Sequence, residues 1–251
     1  MGINMRRLFC LAGLVVAALF VAGRSADASM IMTLHEVGGP PDITCNNSGA
    51  ACVAPFTSAL GGTSVLFMGV FGDFTVVVTA GASNVPGNGT AATLTDSTTS
   101  ITNTGITGSH TLVIDLSAFG YTLPGVNGTP MRLTGSASYS APNTPGNSVT
   151  GQSYVDPTNT GVWSTTAGGC TMKPIKPSDN CDEAGNTWTH GPTAFALRQV
   201  MTFNLAQGQS ITSTGTATAT AIPEPASLML LGSGLIAAAR RVRRRTSKVT
   251  A

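Results

Sequence analysis

Residues 195–221 read FALRQVMTFNLAQGQSITSTGTATATA, and their alternation decides the fold. Phe195, Leu197, Met201, Phe203 and Leu205 fall on one side of an extended chain, interrupted only by Gln199. Thr212, Thr214, Thr216, Thr218 and Thr220 fall on one side of the return. A period of two is that of a β-strand, whose successive side chains point to opposite faces. Between the runs, Ala206-Gln207-Gly208-Gln209 supplies a turn, with Gly for the dihedrals other residues resist. The spacing predicts two long antiparallel strands joined as a hairpin, the apolar side toward a core and the threonine row toward solvent.

The same period recurs upstream. Strands are predicted over 31–37, 64–71, 73–80, 110–116 and 131–140. Leu112, Ile114 and Leu116 alternate with polar neighbours, as do Met131, Leu133 and Ala137, and Phe74, Val76 and Val78 share a face. Gly-, Pro- and Asn-rich clusters at 81–88, 142–147 and 156–161 punctuate them. No long stretch of period 3.6 with helix caps interrupts the series. Residues 84–108 are rich in Thr, Asn and Gly and weakly patterned, so they read as edge strands or a long loop. The fold class is all-β: one antiparallel β-sandwich or jelly-roll-like domain over residues 29–222.

Charge is distributed unevenly along the 251 residues, of which only 10% are charged. The formal net charge of +2 conceals two basic ends around an acidic middle. Residues 29–222 carry four bases (Arg132, Lys173, Lys176 and Arg198) against nine acids, a net charge of −5. That middle offers no basic patch to nucleic acid. The low charge also excludes a coiled coil and a charge-rich disordered chain.

Both ends read as addresses. Arg6 and Arg7 precede an apolar run over 8–23, and Ala26-Asp27-Ala28 forms an A-x-A site, so residues 1–28 are a signal peptide cut before Ser29. Export machinery and a signal peptidase are the implied partners. Cys10 precedes the small residues instead of following them, so no lipoprotein box is present. At the other end, Pro223-Glu224-Pro225 is followed by the uncharged, mostly apolar run 226–239 and then by Arg240, Arg241, Arg243, Arg244 and Arg245. As a helix this run reaches roughly 21 Å, short of the hydrocarbon core, and snorkelling arginines extend its effective span. The arginine cluster stays on the cytoplasmic side, which leaves the domain outside the inner membrane.

This order of parts resembles the PEP-CTERM sorting signal of Gram-negative bacteria: a Pro-Glu-Pro motif, a short membrane helix and a terminal Arg cluster, here over 223–251. The resemblance implies an exosortase as processing partner, a membrane-embedded transpeptidase-like enzyme that cuts near Pro-Glu-Pro. It implies an inner-membrane-anchored intermediate held transiently through 226–239, then a place at the cell surface or in the extracellular matrix. It also implies company with exopolysaccharide and biofilm formation.

Four cysteines follow the signal peptide: Cys45, Cys52, Cys170 and Cys181. In an exported chain they read as two disulfides, with three pairings open. Local pairing, Cys45 with Cys52 and Cys170 with Cys181, encloses loop-like segments in both cases. No Cys-x-x-Cys pair or clustered His argues for zinc, and no metal is expected. Trp163 and Trp188 flank the stapled segment 168–188 and are the candidate glycan contacts, with core packing the commoner role for a Trp beside a disulfide. Asp179, Asp182 and Glu183 in that segment read as solvated acids. His35, His110 and His190 lie far apart without partner motifs. No nucleophile elbow, P-loop or dinucleotide fingerprint is present, so neither catalytic residues nor cofactors are expected. The expected function is a non-enzymatic structural or adhesive component of the extracellular polysaccharide matrix. A specific carbohydrate-binding module is the alternative, and a secreted glycoside hydrolase built on two distant carboxylates the second.

Overall fold

The computed structural model describes residues 29–47, 56–58, 63–140, 147–172, 178–223 and 233. Two antiparallel sheets face each other. The first runs β10 (Thr165–Thr166), β9 (Ser148–Asp156), β13 (Phe195–Ala206), β7 (Ser109–Tyr121), β1 (Ser29–Glu36), β2 (Ile43–Asn46), with β11 (Cys170–Met172) also on β9. The second runs β12 (Ser178–Thr189), β8 (Pro130–Ser140), β14 (Ser210–Ala221), β6 (Ala91–Asn103), β5 (Phe74–Ser83), β4 (Ser64–Phe71), β3 (Phe56–Ser58). The protein is a β-sandwich.

The core lies between the sheets. Met30, Met32 and Leu34 of β1, Leu112, Ile114 and Leu116 of β7, and Leu197, Met201, Phe203 and Leu205 of β13 face Phe74, Leu94, Ile101, Leu133, Ile211 and Ala217 of the second sheet, all fully or almost fully buried. The period-two reading of β5, β7, β8 and β13 thus assigns their inward faces correctly. The threonine row of β14 lies on the outer face, with Thr212 exposed and the others half-buried. Ser and Thr continue it sideways, since Thr216 pairs with Thr95 and Ser136, and Thr218 with Thr93 and Thr134.

Two expectations change. The segment 195–221 is not a hairpin. β13 pairs with β7 and β9, and β14 with β6 and β8, so the turn between them carries the chain from one sheet to the other. As interior strands, both find ladder partners on each side and bury a whole face, which a shared ladder would not require of either. The turn docks on a second crossover, from β6 to β7: Gly208 N–H donates to the Asn103 carbonyl at 2.8 Å, and Asn103 N–H to the Gln209 carbonyl at 3.0 Å. The buried Asn103 side chain joins both, donating to the Leu205 carbonyl at 2.7 Å and accepting Gly105 N–H at 2.9 Å.

Second, the weakly patterned region holds β6, a thirteen-residue interior strand between β5 and β14. Its inward residues include Asp96 and Thr98, and these buried polar groups hide the alternation. Asp96 Oδ1 accepts from Thr79 Oγ1 at 3.1 Å while Oδ2 has no partner, and burial pushes the Asp96 carboxyl up to about 7 against the lowering effect of Thr79.

The expected pair Cys170–Cys181 is a disulfide, and it joins β11 on the first sheet to β12 on the second. Cys45 is disulfide-bonded as well, while Cys52 lies outside the described residues.

Candidate functional site

On the outer face of the first sheet, Arg198 of β13 stands in register with Ser117 of β7 on one side and Tyr154 of β9 on the other. One row along, Thr33 of β1 faces Asp115 of β7. The pleat places these side chains together because each strand buries its alternate residues in the core. Arg198 Nε donates to Asp115 Oδ1 at 2.8 Å and Nη2 donates to Oδ2, a two-pronged pair. Its guanidinium lies 5.3 Å from the centre of the Tyr154 ring and 5.5 Å from that of Trp163. Trp163 also meets Phe119, with ring centres 5.9 Å apart and planes tilted by 52°. Together they line a surface cleft of about 260 Å³, floored by Ile31, Thr33 and Ser117 and bordered by Gly161.

Trp163 reaches this cleft from the loop between β9 and β10, and the loop is tied to one buried carboxylate. Asp156 accepts Thr158 N–H at 2.8 Å, Thr160 N–H at 2.5 Å, Gly161 N–H at 2.6 Å and Val162 N–H at 3.2 Å, plus the Thr158 hydroxyl at 2.6 Å. Asn159, at a positive φ of 58°, accepts Gly120 N–H at 2.9 Å and binds the loop to the end of β7. Burial alone would raise the Asp156 carboxyl, but the bonds from Thr158, Gly161 and Thr160 outweigh it and hold it below the usual carboxylate value.

The structure separates the two tryptophans. Trp163 is half-buried in the cleft. Trp188 is 9% exposed and packs edge-on against Phe195 at 5.1 Å and over His190 at 6.0 Å, in the core between the sheets. Phe195 in turn stacks on Tyr121 at 5.4 Å. Of the three acids read as solvated, Asp182 is exposed but Glu183 is buried. Glu183 points inward from β12, where Oε2 accepts the Ser153 N–H of the opposite sheet at 2.7 Å, and burial raises its carboxyl above the usual value. Gly135 makes the room: a Cβ there would sit 2.4 Å from Glu183 Oε2.

Sequence reasoning found Trp163 but missed Arg198, Asp115, Tyr154 and Phe119. The outward alternation of β7 and β13 carries that signal, since Arg198 is the one cation in a long apolar strand. Glu36, Asp73 and His110 also come together, from the end of β1, the β4–β5 turn and the start of β7, with one ligand atom from each inside 4.8 Å. Of the sorting parts, exposed Pro223 is described; Glu224, Pro225, the apolar run 226–239 (except Ser233) and the arginine cluster lie outside the described residues, as do Ala26 and Ala28. Ser29, the expected first mature residue, opens β1 opposite Phe119. Among the described residues no helix is long and apolar enough to cross a membrane.

Comparison with known proteins identifies the C-terminal signal. Residues 221–245 match the PEP-CTERM protein-sorting motif. The chain is a PEP-CTERM-sorted protein, exported and handled as a membrane-anchored sorting intermediate, and consistent with an exosortase substrate. No curated protein matches it. Among solved structures it is similar to TmCBM61 in complex with β-1,4-galactotriose, at 5% identity and a TM-score of 0.29 over 60% of this chain and 90% of that one. It is similar also to the carbohydrate-binding module TmCBM27, described for specific mannan recognition, at 8% identity and a TM-score of 0.26 over 59% and 88%. The enzymatically active domain of bacteriophage CBA120 tailspike protein 4 aligns at 13% identity and a TM-score of 0.23 over 76% and 19%.

Proposed function

We propose that this sorted protein is a non-enzymatic adhesive component of the extracellular polysaccharide matrix, and that it holds glycan in the cleft of Trp163 and Arg198. The observation that carries the reading is the Trp163 ring, half-buried at a cleft wall and propped by Phe119 and Arg198. A fixed aromatic plane stacks on the apolar face of a sugar ring at little conformational cost, while Ser117 and Thr33 offer hydroxyls to its edge.

Hydrolysis is the weaker reading of the same cleft. Glycoside hydrolysis uses two carboxyl groups that flank the scissile bond. Asp115 is the one carboxylate that lines this cleft among the described residues, and Arg198 engages both its oxygens. A stacking wall with its only acid neutralised suits binding without turnover.

The test is retention of the purified full chain on native exopolysaccharide in affinity electrophoresis. Trp163→Ala is expected to abolish retardation, and Thr216→Ala, on the outer face of the other sheet, to leave it unchanged. Equal retardation of wild type and Trp163→Ala would overturn the assignment of this cleft. Release of reducing sugar on incubation would overturn the non-enzymatic reading.

A further inference from the structure

The far end of the sandwich holds a second constellation. His110 is the second residue of β7 and Phe119 lies near its other end, so the two stand roughly 30 Å apart along the strand. His110 Nε2 lies 2.8 Å from the Thr107 carbonyl oxygen, which can only accept, so Nε2 carries the proton. In a neutral ring this leaves Nδ1 with a lone pair, and Nδ1 faces Asp73 Oδ2 at 3.0 Å and Glu36 Oε1 at 3.3 Å. Three electron-pair donors therefore converge on one point, and they repel one another unless something positive lies among them.

A proton on Nδ1, which the Thr107 carbonyl, Asp73 and Glu36 all favour, answers this only in part. It can be directed at one oxygen well, and Asp73 is the nearer. Glu36 Oε1 is then left without a hydrogen bond, and the Glu36 side chain is only 1% exposed. A buried carboxylate oxygen without a partner is costly. It cannot turn away to seek another. Glu36 Oε2 accepts Asp73 N–H at 3.0 Å, and the carboxylate is walled in at Gly72, where φ is +55° and a Cβ would lie 1.6 Å from Oε2. The fold thus fixes one Glu36 oxygen and aims the other into the cluster.

From this geometry we infer a binding site for a first-row divalent transition ion of the zinc class, with Glu36 Oε1, Asp73 Oδ2 and His110 Nδ1 as its three protein ligands. A tetrahedral ion about 2.1 Å from its ligands holds them about 3.4 Å apart, close to the separations His110 already keeps. Two carboxylates and one neutral imidazole balance a double positive charge. The imidazole favours a transition ion over calcium or magnesium, which take oxygen ligands. The Thr107 carbonyl bonded to Nε2–H is the outer support that metal-bound histidines ordinarily have. Asp73 and His110 are partly exposed, so water can reach a fourth position. Because Glu36 and His110 belong to the first sheet and Asp73 to a turn of the second, the ion clamps the two sheets together at this end.

The experiment titrates ZnCl2 into the chelator-treated full chain by calorimetry and follows its melting. Wild type is expected to bind one ion and to melt at a higher temperature with zinc than without. Cobalt(II) in its place is expected to give the visible bands of a tetrahedral site. Asp73→Asn, at a partly exposed side chain, is expected to fold and to bind zinc at least about tenfold more weakly. His110→Gln is expected to lose binding while retaining the wild-type circular dichroism spectrum. Absence of binding by wild type, or undiminished binding by both Asp73→Asn and His110→Gln, overturns the site. Glycan retention that survives the chelator leaves the Trp163 cleft unaffected by either result.

Discussion

The backbone N–H of Gly161 donates to Asp156 Oδ2 at 2.6 Å, and this bond sets the course of the chain two residues before Trp163. Asp156 is fully buried and gathers the N–H groups of Thr158, Thr160, Gly161 and Val162. A loop that would otherwise fray is thus built as a mount for the aromatic wall. Asp156→Ala leaves those donors without their acceptor and is expected to destabilise the fold by about 3 kcal/mol at pH 7. It should weaken glycan retention as well. The pH dependence has a definite sign. The folded carboxyl is held below its unfolded value, so its contribution is complete above the unfolded pKa and is lost as pH falls through the folded one. Melting curves should show the gap between wild type and Asp156→Ala constant near neutrality and shrinking below about pH 4. A gap independent of pH would refute the role given to the carboxylate.

Arg198 makes a sharper test of the cleft, because its contributions to binding and to stability separate. Its side chain is 27% exposed and that of Asp115 25%, so solvent screens much of the pair's energy. Lysine keeps the charge but can neither hold both Asp115 oxygens nor lie flat between Tyr154 and Trp163. Arg198→Lys is therefore expected to cost under about 1 kcal/mol in denaturant unfolding yet to weaken glycan retention about tenfold. Unchanged retention would remove Arg198 from the site.

Asp96 is expected to weaken the fold as pH rises toward neutrality. Its carboxyl is pushed up to about 7 by burial, well above the value in the unfolded chain. Between those two values the folded protein binds a proton that the unfolded chain releases, so stability declines as pH rises from about 4 to 7 and is flat beyond. The decline is on the order of 4 kcal/mol. Asp96→Asn keeps the acceptor for Thr79 Oγ1 without the charge, and should melt above wild type at pH 8 and lose the slope. A variant with the wild-type slope would assign the titration to another group.

The alternation that a reader of the sequence can see is the alternation that burial produced. It is clean in β7 and β13, where inward positions are Leu, Ile, Met and Phe, and those strands were legible. It fails in β6, where Asp96 and Thr98 face inward, and in β12, where Glu183 does, because a buried polar residue looks like a surface one in sequence. The choice between hairpin and crossover at 206–209 was not legible either. It depends on which ladders β13 and β14 complete elsewhere, and on the docking of Asn103 from a distant turn. The cleft and the His110 cluster share that character. Arg198 and Asp115, or Glu36 and His110, are far apart along the chain and meet only through strand register. Trp163 was visible by its type alone, and Trp188 was visible in the same way yet lies in the core.

The Cys170–Cys181 disulfide closes a separation of 11 residues and ties the edge strand β11 of one sheet to the edge strand β12 of the other. Edges are where a sandwich opens first, since each edge strand has only one ladder to lose. Closing a loop of this length restricts the unfolded chain by about 3 kcal/mol. The bond has a second effect through Glu183, two residues beyond Cys181. While β12 is held, Glu183 Oε2 keeps the Ser153 N–H of the opposite sheet. Replacing both cysteines with serine is therefore expected to lower unfolding stability by about 3 kcal/mol or more. Hydrogen exchange at Ser153 N–H should accelerate more than at interior amides such as Met201. A reductant should destabilise wild type more than the double variant, whose remaining response belongs to the disulfide of Cys45. If exchange at Ser153 follows global unfolding in both proteins, β12 stays closed without the bond, and the disulfide acts on the unfolded chain alone.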